Sequence, residues 1–175
     1  MKTLTIIPGS FSPPHHGHWD MISHYAAISD YVIVIIASPN KALRPFQING
    51  VSIYPDVSKA ILDMFIARSG LTNVKTCVSG EPSPVRKTAK IINTLKDCEI
   101  TIGVSSKGSD AVKYDWILDY VNARPDIIIH PPSETAFTPV EDISATNIRS
   151  GKTAYEDALP DFIDYGDIAA IVRGK

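Results

Sequence analysis

The sequence predicts an α/β domain built on a parallel sheet of about five strands, wrapped by helices on both faces and followed by a short C-terminal helical part. Three observations carry that prediction. Short, β-branched apolar runs alternate with longer stretches of helical periodicity from residue 4 to residue 130. The run Tyr31-Val32-Ile33-Val34-Ile35-Ile36-Ala37 has no polar interruption after its first residue, the pattern of a strand covered on both faces. After His130-Pro131-Pro132 the alternation stops. Repeated strand–helix–strand order requires right-handed crossovers, so residues 1–130 read as a doubly wound, Rossmann-like core. Residues 131–175 read as a helical extension of the same single domain.

Leu4-Thr5-Ile6-Ile7 is the expected first strand. Gly9-Ser10-Phe11-Ser12-Pro13-Pro14-His15-His16-Gly17-His18 is the turn that follows, built from Gly and Pro. Helical spacing of Met21, Ile22, Tyr25 and Ala26 then predicts the first helix. The run 31–37 is the second strand, and 38–45, with Lys41 and Arg44, is a loop. Asp56 to Arg68 is a helix with Val57, Ala60, Ile61, Met64 and Phe65 on one face; Pro55 suits its start and Gly70 its end. Val74 to Val78 is the third strand, and Gly80-Glu81-Pro82-Ser83-Pro84 a rigid loop. Val85 to Leu95 is helical, and Glu99 to Val104 is the fourth strand. Ser109 or Asp110 caps a helix running to about Asn122, and Asp126 to His130 is the fifth strand. A loop reaches Asp142. Ser144 is an N-cap and Gly151 a stop for a short helix, and a closing helix is expected from about Pro160 to Val172.

Composition narrows the function classes. The chain has 175 residues, 17 basic and 19 acidic side chains, and a net charge of −2. No basic excess marks a nucleic-acid binder. The apolar run 32–37 is far too short to span a membrane, and Pro8 and Gly9 interrupt the N-terminal run before it could serve as a signal peptide. Cys77 and Cys98 show neither metal spacing nor a Cys-x-x-Cys pair, so free thiols in a reducing, cytoplasmic compartment are expected. The sequence leaves open whether copies assemble into a homo-oligomer.

Chemistry concentrates in the first turn. A strand-to-helix turn at the carboxyl end of a parallel strand is where open α/β sheets bind ligands. A helix start offers unpaired N–H groups and positive potential. Gly9 permits close backbone approach. His15 and His18 are three apart and share one side as the chain enters the helix. Together they describe an anion site suited to charge that develops during reaction. Three neighbouring histidines in one turn are poorly spaced to ligate a single ion, and no Cys or acidic cluster adjoins them. A second set lies near the other end of the chain: Ser144 and Thr146 offer hydroxyls, and Arg149 the planar fork that suits phosphate oxygens.

These residues carry a resemblance. Residues 9–18 resemble the signature Gly-x-Phe-Asp/Asn-Pro-x-His-x-Gly-His of the nucleotidyltransferase superfamily, with Gly9, Phe11, Pro13, His15, Gly17 and His18 in place and Ser12 at the Asp/Asn position. Ile143-Ser144-Ala145-Thr146-Asn147-Ile148-Arg149 resembles that superfamily's second motif, Ile-Ser-Ser-Thr-x-Ile-Arg, with Ala145 for the second Ser. Its ending is similar to that of the nicotinamide and nicotinate mononucleotide adenylyltransferases. The resemblance implies transfer of AMP from ATP to a phosphate-bearing small molecule, with that mononucleotide as acceptor, Mg²⁺ arriving with ATP, and pyrophosphate leaving. It implies catalytic roles for His15, His18, Lys41 and Arg149. It implies nucleotide contacts for Gly9, Ser10, Phe11, Gly17, Gly103, Ser144 and Thr146, and no protein-built metal site. Such enzymes often read Gly-x-Asp at the end of the fourth strand; here Ser105 stands in place of that Asp, leaving Gly103 for ribose approach and Lys107 or Asp110 for nucleotide contact. Pantetheine-phosphate adenylyltransferase and cytidylyltransferase activity are the alternatives, and a non-catalytic nucleotide-binding regulator is the alternative of another class.

Overall fold

The computed structural model describes residues 1–38, 46–53, 55–81, 84–107, 114–121, 124–141 and 143–174. Five parallel strands form the central sheet: β1 (Lys2–Gly9), β2 (Tyr31–Ile36), β5 (Val74–Val78), β6 (Cys98–Ile102) and β7 (Ile127–His130), in the order β5-β2-β1-β6-β7. Between them run α1 (His16–Ile28), a hairpin of β3 (Gln47–Ile48) and β4 (Val51–Ser52), α2 (Pro55–Ser69), α3 (Pro84–Thr94) and a 3₁₀ turn at Asp115–Tyr120. After β7 come α4 (Ala145–Arg149), a second 3₁₀ turn at Tyr155–Ala158 and α5 (Tyr165–Arg173). Strand order reverses between β1 and β6, which places the binding crevice of this architecture at their carboxyl ends.

The period-two alternation of the strands divides the core into two layers. Ile7, Val32, Val34 and Ile36 pack with Ile22 and Tyr25 of α1 and Ile61, Leu62 and Phe65 of α2. Leu4, Ile6, Ile35, Ile100 and Ile102 pack on the other face with Val85 and Ile92 of α3 and with Ile117. That is why β2 reads as a continuous apolar run: both of its faces are covered. Both cysteines are free; Cys98 is buried, Cys77 partly so, and burial pushes each thiol's pKa up. No helix of the described residues is long and apolar enough to cross a membrane.

Three expectations need correction. The β3–β4 hairpin stands between Pro45 and Pro55, where the sequence reading assigns no element. Its signal is the Asn49-Gly50 pair, whose positive φ angles of 51° and 78° suit a tight hairpin turn. Of the helix expected to reach Asn122, the described part is α-helical at Tyr114 and a 3₁₀ turn over Asp115–Tyr120. Its sequence, Asp-Trp-Ile-Leu-Asp-Tyr, is poor in strong helix formers, and a short run settles into i→i+3 bonding. Its expected caps, Ser109 and Asp110, lie outside the described residues, as does Asn122. The closing helix begins at Tyr165 rather than near Pro160, because Asp164 caps it: Asp164 Oδ1 accepts from Asp167 N–H at 3.1 Å, and Asp167 Oδ2 accepts from Asp164 N–H at 3.0 Å. Arg68 grips the same Asp167 with two nitrogens at 2.6 and 2.8 Å, fastening α2 to α5.

Candidate active site

The first turn folds around its own histidines. His15 is the N-cap of α1, and His18 is its third helical residue. The His18 N–H donates to His15 Nδ1 at 3.3 Å, and the His15 N–H donates to His18 Nδ1 at 3.2 Å. This is a capping box made from two imidazoles. The rings stack with centroids 3.6 Å apart, and Phe11 meets His18 edge-on at 4.8 Å. Gly17 makes the stack possible, since a Cβ there would lie 3.0 Å from His15 Cε1 and Nδ1.

The capping box also sets the protonation of the pair. Each Nδ1 accepts a backbone N–H and therefore carries no proton, so each neutral ring holds its proton on Nε2. Burial favours this neutral form. It lowers the His15 pKa far below the ordinary range, and the Lys107 ammonium acts in the same direction. It lowers His18 from 6.5 to about 3, helped by the Arg149 guanidinium. The two imidazoles are thus uncharged N–H donors.

A pH effect on stability follows. Between about pH 6.5 and pH 3 the unfolded chain binds protons that folded His18 refuses, so stability rises with pH in that window and falls as the medium is acidified. The expected result is a melting temperature that declines from pH 6.5 to 4.5, with a shallower decline in His18→Asn. Equal slopes for the two proteins would place the responsible group elsewhere.

The second motif closes on the first from the C-terminal part. Ser144 caps α4, its Oγ accepting from Asn147 N–H at 3.1 Å, and Gly151 follows the helix with φ +80°. From the last turn of α4, Arg149 Nη1 donates to the Ser12 carbonyl at 2.6 Å and Nη2 to Thr146 Oγ1 at 3.3 Å. The buried Tyr155 hydroxyl donates to the Pro14 carbonyl at 2.6 Å, and burial raises its pKa well above the ordinary phenol range. The first turn is therefore held by Arg149 and Tyr155, more than 130 residues away in the chain. Ser12 is only 6% exposed, and among the described residues its Oγ has no hydrogen-bond partner.

The third wall comes from the end of β6 and the segment after β7. Phe137 N–H donates to the Val104 carbonyl and Ser106 N–H to the Phe137 carbonyl, both at 2.7 Å. The Tyr25 hydroxyl donates to the Thr135 carbonyl at 2.5 Å. His16 Nε2 lies 3.3 Å from Glu141 Oε2 and its Nδ1 lies 3.6 Å from Asp20 Oδ2, which draws residue 141 toward the start of α1.

The resulting cleft is lined by Gly9, Ser10, Phe11, His15, Gly17, His18, Ser144, Thr146 and Arg149, so nine residues singled out in two distant sequence segments come together. Lys41, like Arg44 and Asp110, lies outside the described residues. Gly103 is not among the residues that line the cleft, though Val104 and Ser105 beside it are. A Cβ at Gly103 would fall 2.8 Å from Ile7 Cγ1 and 2.9 Å from Tyr25 Cε2, so its missing side chain makes room for α1 against the sheet. Sequence reasoning missed Met21, Tyr114, Phe137 and Glu141, which also line the cleft. The isolated Ala136-Phe137 pair in an otherwise polar loop was the available signal for Phe137. Among the described residues no three of His, Cys, Asp and Glu are grouped to hold a metal ion. The donors facing the cleft, mostly imidazole, hydroxyl, ammonium and guanidinium with one carboxylate at Glu141, fit a metal that enters on the phosphates of its own nucleotide.

Residues 6–50 match the cytidylyltransferase-like family model. A 44-residue segment is 43% identical to phosphopantetheine adenylyltransferase of Aquifex aeolicus (strain VF5), covering 25% of this chain and 27% of that relative. The match therefore spans about a quarter of that relative's length. Among solved structures, a protein described as a nicotinate-nucleotide adenylyltransferase from Vibrio parahaemolyticus superposes with a TM-score of 0.57 at 18% identity, over 98% of this chain and 99% of its own. A bifunctional NMN adenylyltransferase/ADP ribose pyrophosphatase from Francisella tularensis superposes with a TM-score of 0.61 at 17% identity, over 91% of this chain and 45% of its own. The five-stranded parallel α/β fold is that of these nucleotidyltransferase structures.

Proposed function

We propose that the chain is an adenylyltransferase that moves AMP from ATP to a phosphate-bearing acceptor, with nicotinamide or nicotinate mononucleotide as that acceptor. The observation that carries this reading is the stacked His15–His18 pair, neutral and protonated on Nε2, in a cleft it shares with Ser144, Thr146 and Arg149. Neutral donors held by the fold before substrate arrives are suited to stabilise charge that appears only in the transition state.

The reaction requires positioning rather than a covalent intermediate. The acceptor phosphate attacks the α-phosphorus in line, a new P–O bond forms, and the bond to the bridging oxygen of pyrophosphate breaks. His18 donates to the oxygens gaining charge, and His15 fixes the His18 ring while adding a second donor. Arg149, Ser144 and Thr146 hold the pyrophosphate end. Lys41, which follows β2 in the sequence, acts on the acceptor or the transferring phosphate. Bound Mg²⁺ supplies charge neutralisation on the phosphate oxygens.

The mononucleotide reading is supported by the second motif, whose Arg149 ending resembles that of the mononucleotide adenylyltransferases, and by the shared fold of the Vibrio protein described as a nicotinate-nucleotide adenylyltransferase. The 43% identical segment favours phosphopantetheine as the second reading. One panel separates them: ATP and Mg²⁺ with nicotinamide mononucleotide, nicotinate mononucleotide or phosphopantetheine, and CTP with phosphocholine or glycerol phosphate. Pyrophosphate release and product mass are read at equal concentrations. A mononucleotide is expected to react fastest and give a dinucleotide. Turnover with phosphopantetheine or CTP, and none with either mononucleotide, would overturn the acceptor and leave nucleotidyl transfer standing. No pyrophosphate from any pair would favour the non-catalytic regulator.

A further inference from the structure

Residues 11 and 12 carry two locally destabilising features side by side. Phe11 holds a φ of 49°, in the left-handed region that non-glycine residues rarely enter. Ser12 buries its Oγ, which exposes almost nothing to solvent and has no hydrogen-bond partner among the described residues. A buried hydroxyl left unpaired is unfavourable, because it gives up hydration and gains no bond in exchange. Both residues line the cleft. Strain and unmet polar capacity gathered on the wall of a cleft point to a ligand that relieves them.

The surroundings of the hydroxyl select the ligand atom. Pro13 and Pro14 have no backbone N–H, so over residues 12–14 the Ser12 N–H and hydroxyl are the only donors. The Ser12 carbonyl accepts from Arg149 Nη1 and the Pro14 carbonyl from the Tyr155 hydroxyl, each at 2.6 Å, which fixes the backbone that carries the hydroxyl. The first of these contacts also brings the guanidinium charge of Arg149 beside Ser12. An anionic oxygen drawn to Arg149 therefore arrives next to an unpaired hydroxyl, and hydrogen bonds to ionised acceptors are among the stronger ones. The hydroxyl turns on a single side-chain torsion, so meeting that oxygen requires no movement of the anchored backbone.

Resting on the nucleotidyl-transfer reading of this cleft, we propose that Ser12 is a polyphosphate-binding residue whose hydroxyl donates to a phosphate oxygen of the nucleotide beside Arg149. The hydroxyl is unpaired while the cleft is empty and paired once a polyphosphate fills it. It thus lowers the stability of the empty chain and adds affinity for the ligand. Removing it weakens binding without weakening the fold, the opposite of what a structural hydroxyl would show.

Titration calorimetry with inorganic tripolyphosphate is the test, on the unaltered chain, Ser12→Ala and Ser12→Cys, with melting temperatures measured without ligand. Ser12→Ala is expected to bind tripolyphosphate about tenfold more weakly. It should melt at or above the temperature of the unaltered chain, by up to about 3 °C, because an unpaired buried hydroxyl has gone. Ser12→Cys fills the same space with a much weaker donor and should lose affinity to a similar extent. Equal affinity in Ser12→Ala overturns the proposal, as does an unaltered chain that binds no tripolyphosphate. Lost affinity with lowered melting in Ser12→Ala overturns it in favour of a structural hydroxyl. Full affinity in Ser12→Cys beside a loss in Ser12→Ala overturns it in favour of packing. The reaction itself is scored separately: a chain that binds tripolyphosphate through Ser12 yet releases no pyrophosphate from ATP loses the reaction and keeps this site.

Discussion

His18→Ala is expected to lower kcat by about 10²–10³, equivalent to roughly 3–4 kcal/mol of transition-state stabilisation, while ATP affinity changes much less. The asymmetry follows from the state of the ring. A neutral Nε2–H donor gains little from ground-state phosphate and more as charge accumulates on the leaving and non-bridging oxygens. The substitution also removes the Nδ1 that accepts the His15 N–H, so part of a helix cap is lost, about 1 kcal/mol of stability. Steady-state kinetics at saturating ATP, together with a melting curve, separate the two contributions. A variant with near-normal kcat would take His18 out of the mechanism.

Arg149→Ala is expected to cost about 2–4 kcal/mol in kcat/KM for ATP, or roughly 30- to several-hundred-fold. Arg149 serves the first turn as well as the nucleotide. Its Nη1 holds the Ser12 carbonyl at 2.6 Å, so truncation loosens the loop that presents Gly9 to Phe11. Arg149→Lys keeps the charge and loses the fork. A single ammonium cannot reproduce both the bond to Ser12 and the bond to Thr146 along with a planar grip on phosphate, so about tenfold of the loss should remain. Measured ATP affinity and kcat/KM for the two variants decide the point. Full activity in Arg149→Lys would show that charge alone suffices at this position.

How much of this was legible in the sequence depended on the range over which each signal acts. The Ile-rich run of β2, the Pro55 start and Gly70 stop of α2, and the Ser144 cap and Gly151 stop of α4 are local, because strand period, helix period and caps involve neighbours within a few residues. The Asn49-Gly50 hairpin was equally local, and its turn pair was the available signal. Asp164 decided the start of α5 through a capping box whose partner, Asp167, is itself an acidic residue rather than the usual Glu or Gln, which hid the signature.

The sequence by itself determined the parallel α/β class, the strand-to-helix turn at Gly9–His18, and the residue types able to meet a phosphate there and at Ser144–Arg149. Those follow from periodicity, turn chemistry and donor inventory, all of them properties of short stretches. The tertiary structure alone decided the rest. It stacked His15 on His18 with both Nδ1 atoms occupied, which set the tautomers and left the rings neutral. It packed Ile7 and Tyr25 against Gly103, and it brought Glu141, Phe137 and Lys107 to the cleft. The physical reason is that burial, ring stacking and the field of a neighbouring charge depend on distances between residues remote in the chain, and the packing of α1 and α4 around the end of β1 sets those distances.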